Sequence, residues 1–156
     1  MSTWRTISAI IGIGLVALYA GGANYWNRQD GWYQSLNQPP WQPPDFVFGL
    51  IWPYNFIVIG ITLWVIASKA SPALVATALS LFAISVVLAL RWSYLFYEVH
   101  LLNAAAFSLL ATAILTLPIL AIAFSQSIKL GIALVPYQIW IFTASALAMS
   151  YAHNNN

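Results

Sequence analysis

Two histidines and three carboxylates are the whole supply of groups for acid–base or metal chemistry in this chain, and it has no cysteine. A nucleophile–base pair needs a Cys or Ser poised beside a His, and metal-assisted hydrolysis needs several His or carboxylates at ligand spacing. The sequence assembles neither, so no catalytic constellation and no metal site is expected. Arg91, Glu98 and His100 fall close together in sequence. A structural ion pair is the preferred reading of that group; ligation of a haem iron by His100 is the alternative. The larger chemical resource is aromatic, with 8 Trp, 8 Tyr and 8 Phe. Such rings suit the stacking of a flat, apolar, conjugated ligand such as a tetrapyrrole.

The stretch that could present those rings is NRQDGWYQSLNQPPWQPPD, residues 27–45, which carries Trp32, Tyr33, Trp41 and the pairs Pro39-Pro40 and Pro43-Pro44. Flexible linkers are rich in Gly and Ser, whereas paired prolines fix backbone dihedrals and leave rings on a stiff frame with little entropy to lose on binding. A lid is the favoured reading here, against an interfacial aromatic belt, which is preferred for Trp4 and Trp26.

The elements that must position these rings follow from the spacing of charge. Only 5% of residues are charged while 62% are hydrophobic, far from the roughly 25% charged residues of soluble domains. The uncharged intervals 6–27, 46–68, 70–90, 101–128 and 130–152 are 22, 23, 21, 28 and 23 residues long. About 20 apolar residues cross a hydrocarbon core as a helix, and continuous rather than alternating apolar runs argue against a barrel. The expectation is an all-α integral membrane bundle of five transmembrane helices forming one domain, over about 6–26, 46–68, 72–92, 101–125 and 130–152, with a long first loop.

Ser71 and Pro72 read as an N-cap and first-turn proline, which makes the second and third spans antiparallel neighbours. Gln126, Ser127, Lys129 and Gly131 separate the last two spans. Pro118 and Pro136 predict kinks or a broken turn. The first span also has features of a cleavable signal peptide, but its full length and Gly14, Gly21 and Gly22 favour a packed helix. Asn55, Ser85, Asn103, Ser108, Thr112, Gln138, Thr143 and Ser145 are expected to bond between helices. Arg5, Lys69 and Lys129 fall on one side, Arg28 and Arg91 on the other with Asp30, Asp45 and Glu98, so the positive-inside rule places the N-terminus inside. A net charge of +2 without a basic cluster excludes a nucleic-acid footprint.

The segment WYQSLNQPPWQPPDFVFGLIWPYNF, residues 32–56, resembles the TspO family of tryptophan-rich sensory proteins, also called the translocator protein or peripheral-type benzodiazepine receptor family. The matching positions are Trp32-Tyr33, Leu36, Pro39-Pro40-Trp41, Pro43-Pro44, Phe48-Gly49, Trp52 and Phe56. Two further blocks agree: Trp92-Ser93, Leu95-Phe96-Tyr97 and His100, then Pro136-Tyr137 with Trp140. The resemblance implies a five-helix bundle, commonly homodimeric, whose pocket beneath the first loop binds porphyrins, haem-like tetrapyrroles, sterols or benzodiazepine-type ligands, with no required cofactor. It implies Tyr33 as a lid aromatic, Trp52 and Trp140 as pocket lining, and Phe96 and His100 near the wall. Trp41, Pro43, Pro44, Phe48, Phe56 and Trp92 join the expected ligand-binding set.

Departures from the family pattern accompany the match. Ala89 and Ala148 stand where the family usually has Asn, and both belong to the expected pocket. The sterol motif also fails, because Tyr151 is followed by Ala, His and Asn. Three functions follow as expectations. The first is a non-enzymatic membrane receptor or sensor for a tetrapyrrole, moving it or reporting it. The second is light- or oxygen-dependent porphyrin breakdown with Trp52 and Trp140 as relays. The third is a structural membrane protein with a diverged, collapsed pocket.

Overall fold

The computed structural model describes residues 2–27 and 31–155, and every regular element among them is helical. The order is α1 (Thr3–Trp26), α2 (Gly31–Ser35), α3 (Asp45–Lys69), α4 (Pro72–Tyr97), α5 (Leu102–Gln126) and α6 (Ile128–Asn155). All but α2 are long and apolar enough to cross a membrane. In lipid each backbone donor and acceptor must be satisfied within its own segment, which a continuous helix does.

The helices outrun their sequence-based limits where charge finds a partner or a turn is tighter than its composition indicates. α4 runs on to Tyr97, past the expected limit at residue 92, and Arg91 within it donates from Nη1 to Ser108 Oγ at 2.5 Å on α5. Ser127 alone separates α5 from α6, so Lys129 and Gly131 lie inside α6. Gly131 makes that turn possible: a Cβ there would sit 2.2 Å from Phe124 Cδ1. The 27–45 connection is not wholly irregular either, since α2 gives it one helical turn. Pro118 and Pro136 do not break their helices; α5 and α6 run through them, as α3 runs through Pro53. Ser71 caps α4, its side chain accepting from Leu74 N–H at 3.4 Å, with Pro72 following.

The bundle closes as a ring in the order α1, α3, α6, α5, α4. The short 69–71 turn predicts α3 and α4 as close neighbours, but they touch sparsely, because α1 packs against both. Glycine lets it do so. A Cβ on Gly12 would lie 3.1 Å from Leu63 Cβ on α3, and one on Gly22 would lie 2.5 Å from Leu90 Cδ2 on α4. Gly14 and Gly21, expected at close contacts, face open space instead.

Polar groups in the spans mostly bond back to their own helix. Ser85, Ser108, Thr143 and Ser145 each donate to a carbonyl three or four residues earlier, a local satisfaction open to any hydroxyl on a helix. Cross-helix bonds include Thr112 Oγ1 to Ser85 O at 3.2 Å, Gln138 Nε2 to Ala113 O at 2.8 Å and Tyr54 Oη to Ala133 O at 2.6 Å, beside the Arg91–Ser108 bond. Asn103 is exposed. Asn55 is fully buried, and neither end of its amide has a partner among the described residues. Arg5 Nη1 donates to Ala67 O at 2.8 Å, so Arg5, Lys69 and Lys129 share the bundle end remote from the first loop. Arg28 and Asp30, which also entered the orientation argument, lie outside the described residues.

Candidate functional site

At the loop end the ring of helices does not fill its own centre. A cavity of about 650 Å³ opens between the last turns of α1, the first turns of α3, and the C-terminal turns of α4 and α6. This volume falls within the roughly 300–1,000 Å³ typical of small-molecule pockets, so the collapse expected of a purely structural protein has not occurred. No residue of α5 lines it.

The aromatic lining comes from four segments, α2, α3, α4 and, through Tyr151, α6. Phe48, Trp52 and Phe56 are presented by α3 at a four-residue spacing, hence on one helix face. Trp92, Phe96 and Tyr97 come from α4, and Tyr33 from α2. Trp52 and Phe56 stack with ring centroids 5.7 Å apart and 26° between planes, and Tyr19 backs both edge-on at 6.1 and 5.3 Å. Ala148 also faces the cavity, so its methyl leaves room there. These members of the sequence-derived set are therefore brought together.

The others are placed elsewhere. Trp140 lies behind Phe48, edge-on at 5.2 Å, and is not a lining residue. Ala89 is fully buried in the helix core and is not a lining residue. His100 stacks on Trp32 at 3.6 Å and 7°, with Nε2 3.2 Å from Tyr97 O, so its ring is occupied by the lid rather than turned inward. Trp41 is exposed beside Pro39, Pro40 and His153 in a surface groove. Pro43 and Pro44 lead into α3, where Pro44 O accepts Val47 N–H at 2.9 Å.

Several lining residues carried no signal in the aromatic pattern. Asn24 and Asn27 lie at the end of α1, and Asp45 begins α3. Asp45 is the one formal charge among the described lining residues. Pro53 lacks the N–H that would bond the carbonyl of Gly49, and both residues line the wall. A proline inside an apolar span was the available cue. Tyr151 on α6 lines the cavity and accepts the Tyr33 hydroxyl at 3.2 Å while donating to Gln42 Oε1. Among the described residues no group of three or more His, Asp or Glu could hold a metal. The site is an aromatic-walled pocket with a polar mouth.

Comparison with known proteins agrees with this architecture. The family model described as TspO/MBR family matches residues 6–153. A tryptophan-rich protein TspO of Chlorobaculum tepidum is 31% identical over 144 residues, 91% of this chain and 90% of the relative. Protein CrtK of Rhodobacter capsulatus is 28% identical over 146 residues, covering 93% and 90%. A tryptophan-rich sensory protein of Cereibacter sphaeroides is 24% identical over 120 residues, covering 77% and 74%.

Proposed function

Because the chain belongs to the TspO/MBR family and is an integral, multi-pass membrane protein, we propose that it is a membrane sensor or receptor for a flat, apolar, conjugated ligand of the porphyrin or wider tetrapyrrole class. One observation carries the reading: a cavity of about 650 Å³ lined by Phe48, Trp52, Phe56, Trp92 and Phe96. Offset and edge-on ring contacts contribute roughly 0.5–1.5 kcal/mol each beyond area burial, and a conjugated macrocycle would use several at once. The sensory part of the proposal rests on similarity to the tryptophan-rich sensory protein of Cereibacter sphaeroides. The mouth, with Asn24, Asn27 and Asp45, leaves room for polar substituents at the water interface while the ring system stays among apolar side chains.

The test is a titration of detergent-solubilised protein with protoporphyrin IX, following tryptophan fluorescence. Saturable quenching that weakens on Trp52→Ala is the expected result. Quenching that grows linearly with added porphyrin, unaltered by Trp52→Ala, would show partition into the micelle and overturn the proposal.

A further inference from the structure

The connection that supplies Tyr33 to the cavity wall is fastened to one turn of α6. Tyr151 and Asn155 stand four residues apart at the C-terminal end of that helix, so they occupy one face. The Tyr33 hydroxyl donates to the Tyr151 oxygen, which in turn donates to Gln42 Oε1. The Asn155 side-chain amide then pairs with both backbone groups of a single lid residue: Asn37 N–H donates to Oδ1 at 2.7 Å, and Nδ2 donates to Asn37 O at 3.2 Å. That amide is itself steadied, because Nδ2 also donates to Tyr151 O at 2.9 Å. A longer bond runs from Asn37 Nδ2 to Asn154 O at 3.4 Å.

The lid is thus held at Tyr33, Asn37 and Gln42. Pro39 and Pro40 lie between the last two points and restrict the chain that joins them. A stiff strap fastened at three points loses little further entropy on closing, so a few bonds suffice to set its position. The Asn155 pairs are solvent-exposed, where water competes for both partners and each bond is weak. A fastening of that strength opens thermally.

From this geometry we infer that Tyr151 and Asn155 are positioning residues that latch the lid over the cavity and so set the rate at which a ligand enters and leaves. The rate claim rests on the ligand-binding reading above; the latch itself does not. Because the Asn155 bonds join protein to protein and touch no lining residue other than Tyr151, weakening them should speed entry and exit together and leave the equilibrium affinity almost unchanged. A defect in the pocket wall would instead accelerate exit alone.

Two measurements on the full chain separate these claims. Amide hydrogen exchange over residues 36–42, with no ligand added, is expected to quicken about ten-fold in Asn155→Ala, the scale of one or two such bonds. Tyr151→Phe, which keeps the ring against Phe96 at 5.7 Å, should quicken it comparably. Asn155→Asp keeps the acceptor for Asn37 N–H and should fall between wild type and Asn155→Ala. Stopped-flow binding of protoporphyrin IX should then show association and dissociation both faster, by about the same factor, in Asn155→Ala. Unchanged exchange over 36–42 would overturn the latch. Quickened exchange with unchanged porphyrin kinetics would overturn its gating role. If wild type binds no porphyrin, the functional reading fails with the gating claim, while the exchange measurement still decides the latch.

Discussion

The imidazole of His100 lies flat on the indole of Trp32, with ring centroids 3.6 Å apart and 7° between planes. This contact joins the α2 lid to the α4–α5 turn, and it is held by a backbone conformation that His adopts at a cost. His100 has φ of 63°, in the left-handed region that costs a residue with a Cβ roughly 1–2 kcal/mol relative to helical backbone.

Stack and strain can be separated by substitution. His100→Ala keeps the strain and loses the stack, and is expected to lower stability by about 1 kcal/mol, the scale of one aromatic pair. His100→Gly loses the stack but relieves the strain, and should recover about 1 kcal/mol relative to Ala. Thermal melting in detergent of the three proteins checks both steps; equal melting for Ala and Gly would remove the strain from the account.

The two tryptophans that share a family motif role do not share a location. Trp52 lines the cavity and Trp140 stands behind Phe48. Trp52→Ala should weaken porphyrin binding on the order of 10- to 100-fold, whereas Trp140→Phe should change it less than about 3-fold. Fluorescence titration of each variant measures the difference, with an equal loss in both placing Trp140 in contact with ligand.

Ala89 and Ala148, the two positions where the family pattern has Asn, should respond oppositely to its restoration. Ala89 is fully buried in the helix core, so Ala89→Asn inserts bulk and an amide into packed space and should destabilise by about 1–3 kcal/mol. Ala148 faces the cavity, so Ala148→Asn should leave the melting temperature nearly unchanged while altering ligand affinity. Melting curves for both, with porphyrin titration for the second, test this.

Asp45 gives the described cavity lining a negative charge without a positive one. A dicarboxylate porphyrin should therefore bind more weakly than its dimethyl ester. Asp45→Asn should narrow that gap by roughly 3-fold in low salt and less in high salt, since an exposed charge is screened over about 10 Å at 0.1 M. Titrations of both ligands at two ionic strengths measure it. A gap that ignores both the substitution and the salt would show that Asp45 does not act on the ligand.

The membrane class, the five spans and the stiff first connection were legible in the sequence because each is a local property. An uncharged run of 21 residues or more has few alternatives in lipid, and Pro39-Pro40 and Pro43-Pro44 restrict their own dihedrals whatever surrounds them. The cap at Ser71 and Pro72 was likewise written in two adjacent residues.

Which way each helix turns its residues was not legible, and the site depends on that. In a soluble bundle a polar stripe marks the outer face, but here lipid and interior are equally apolar, so a helix that is hydrophobic all round gives no facing signal. Only packing decided that Trp52 looks into the cavity and Trp140 does not, that Ala89 is core and Ala148 is wall, and that Gly12 and Gly22 rather than Gly14 and Gly21 meet neighbouring helices. Packing also set α1 between α3 and α4, against the order of the chain. The fastening of Asn37 by Asn155 spans 118 positions of sequence; it exists because the ring of helices returns the end of α6 to the loop that follows α1.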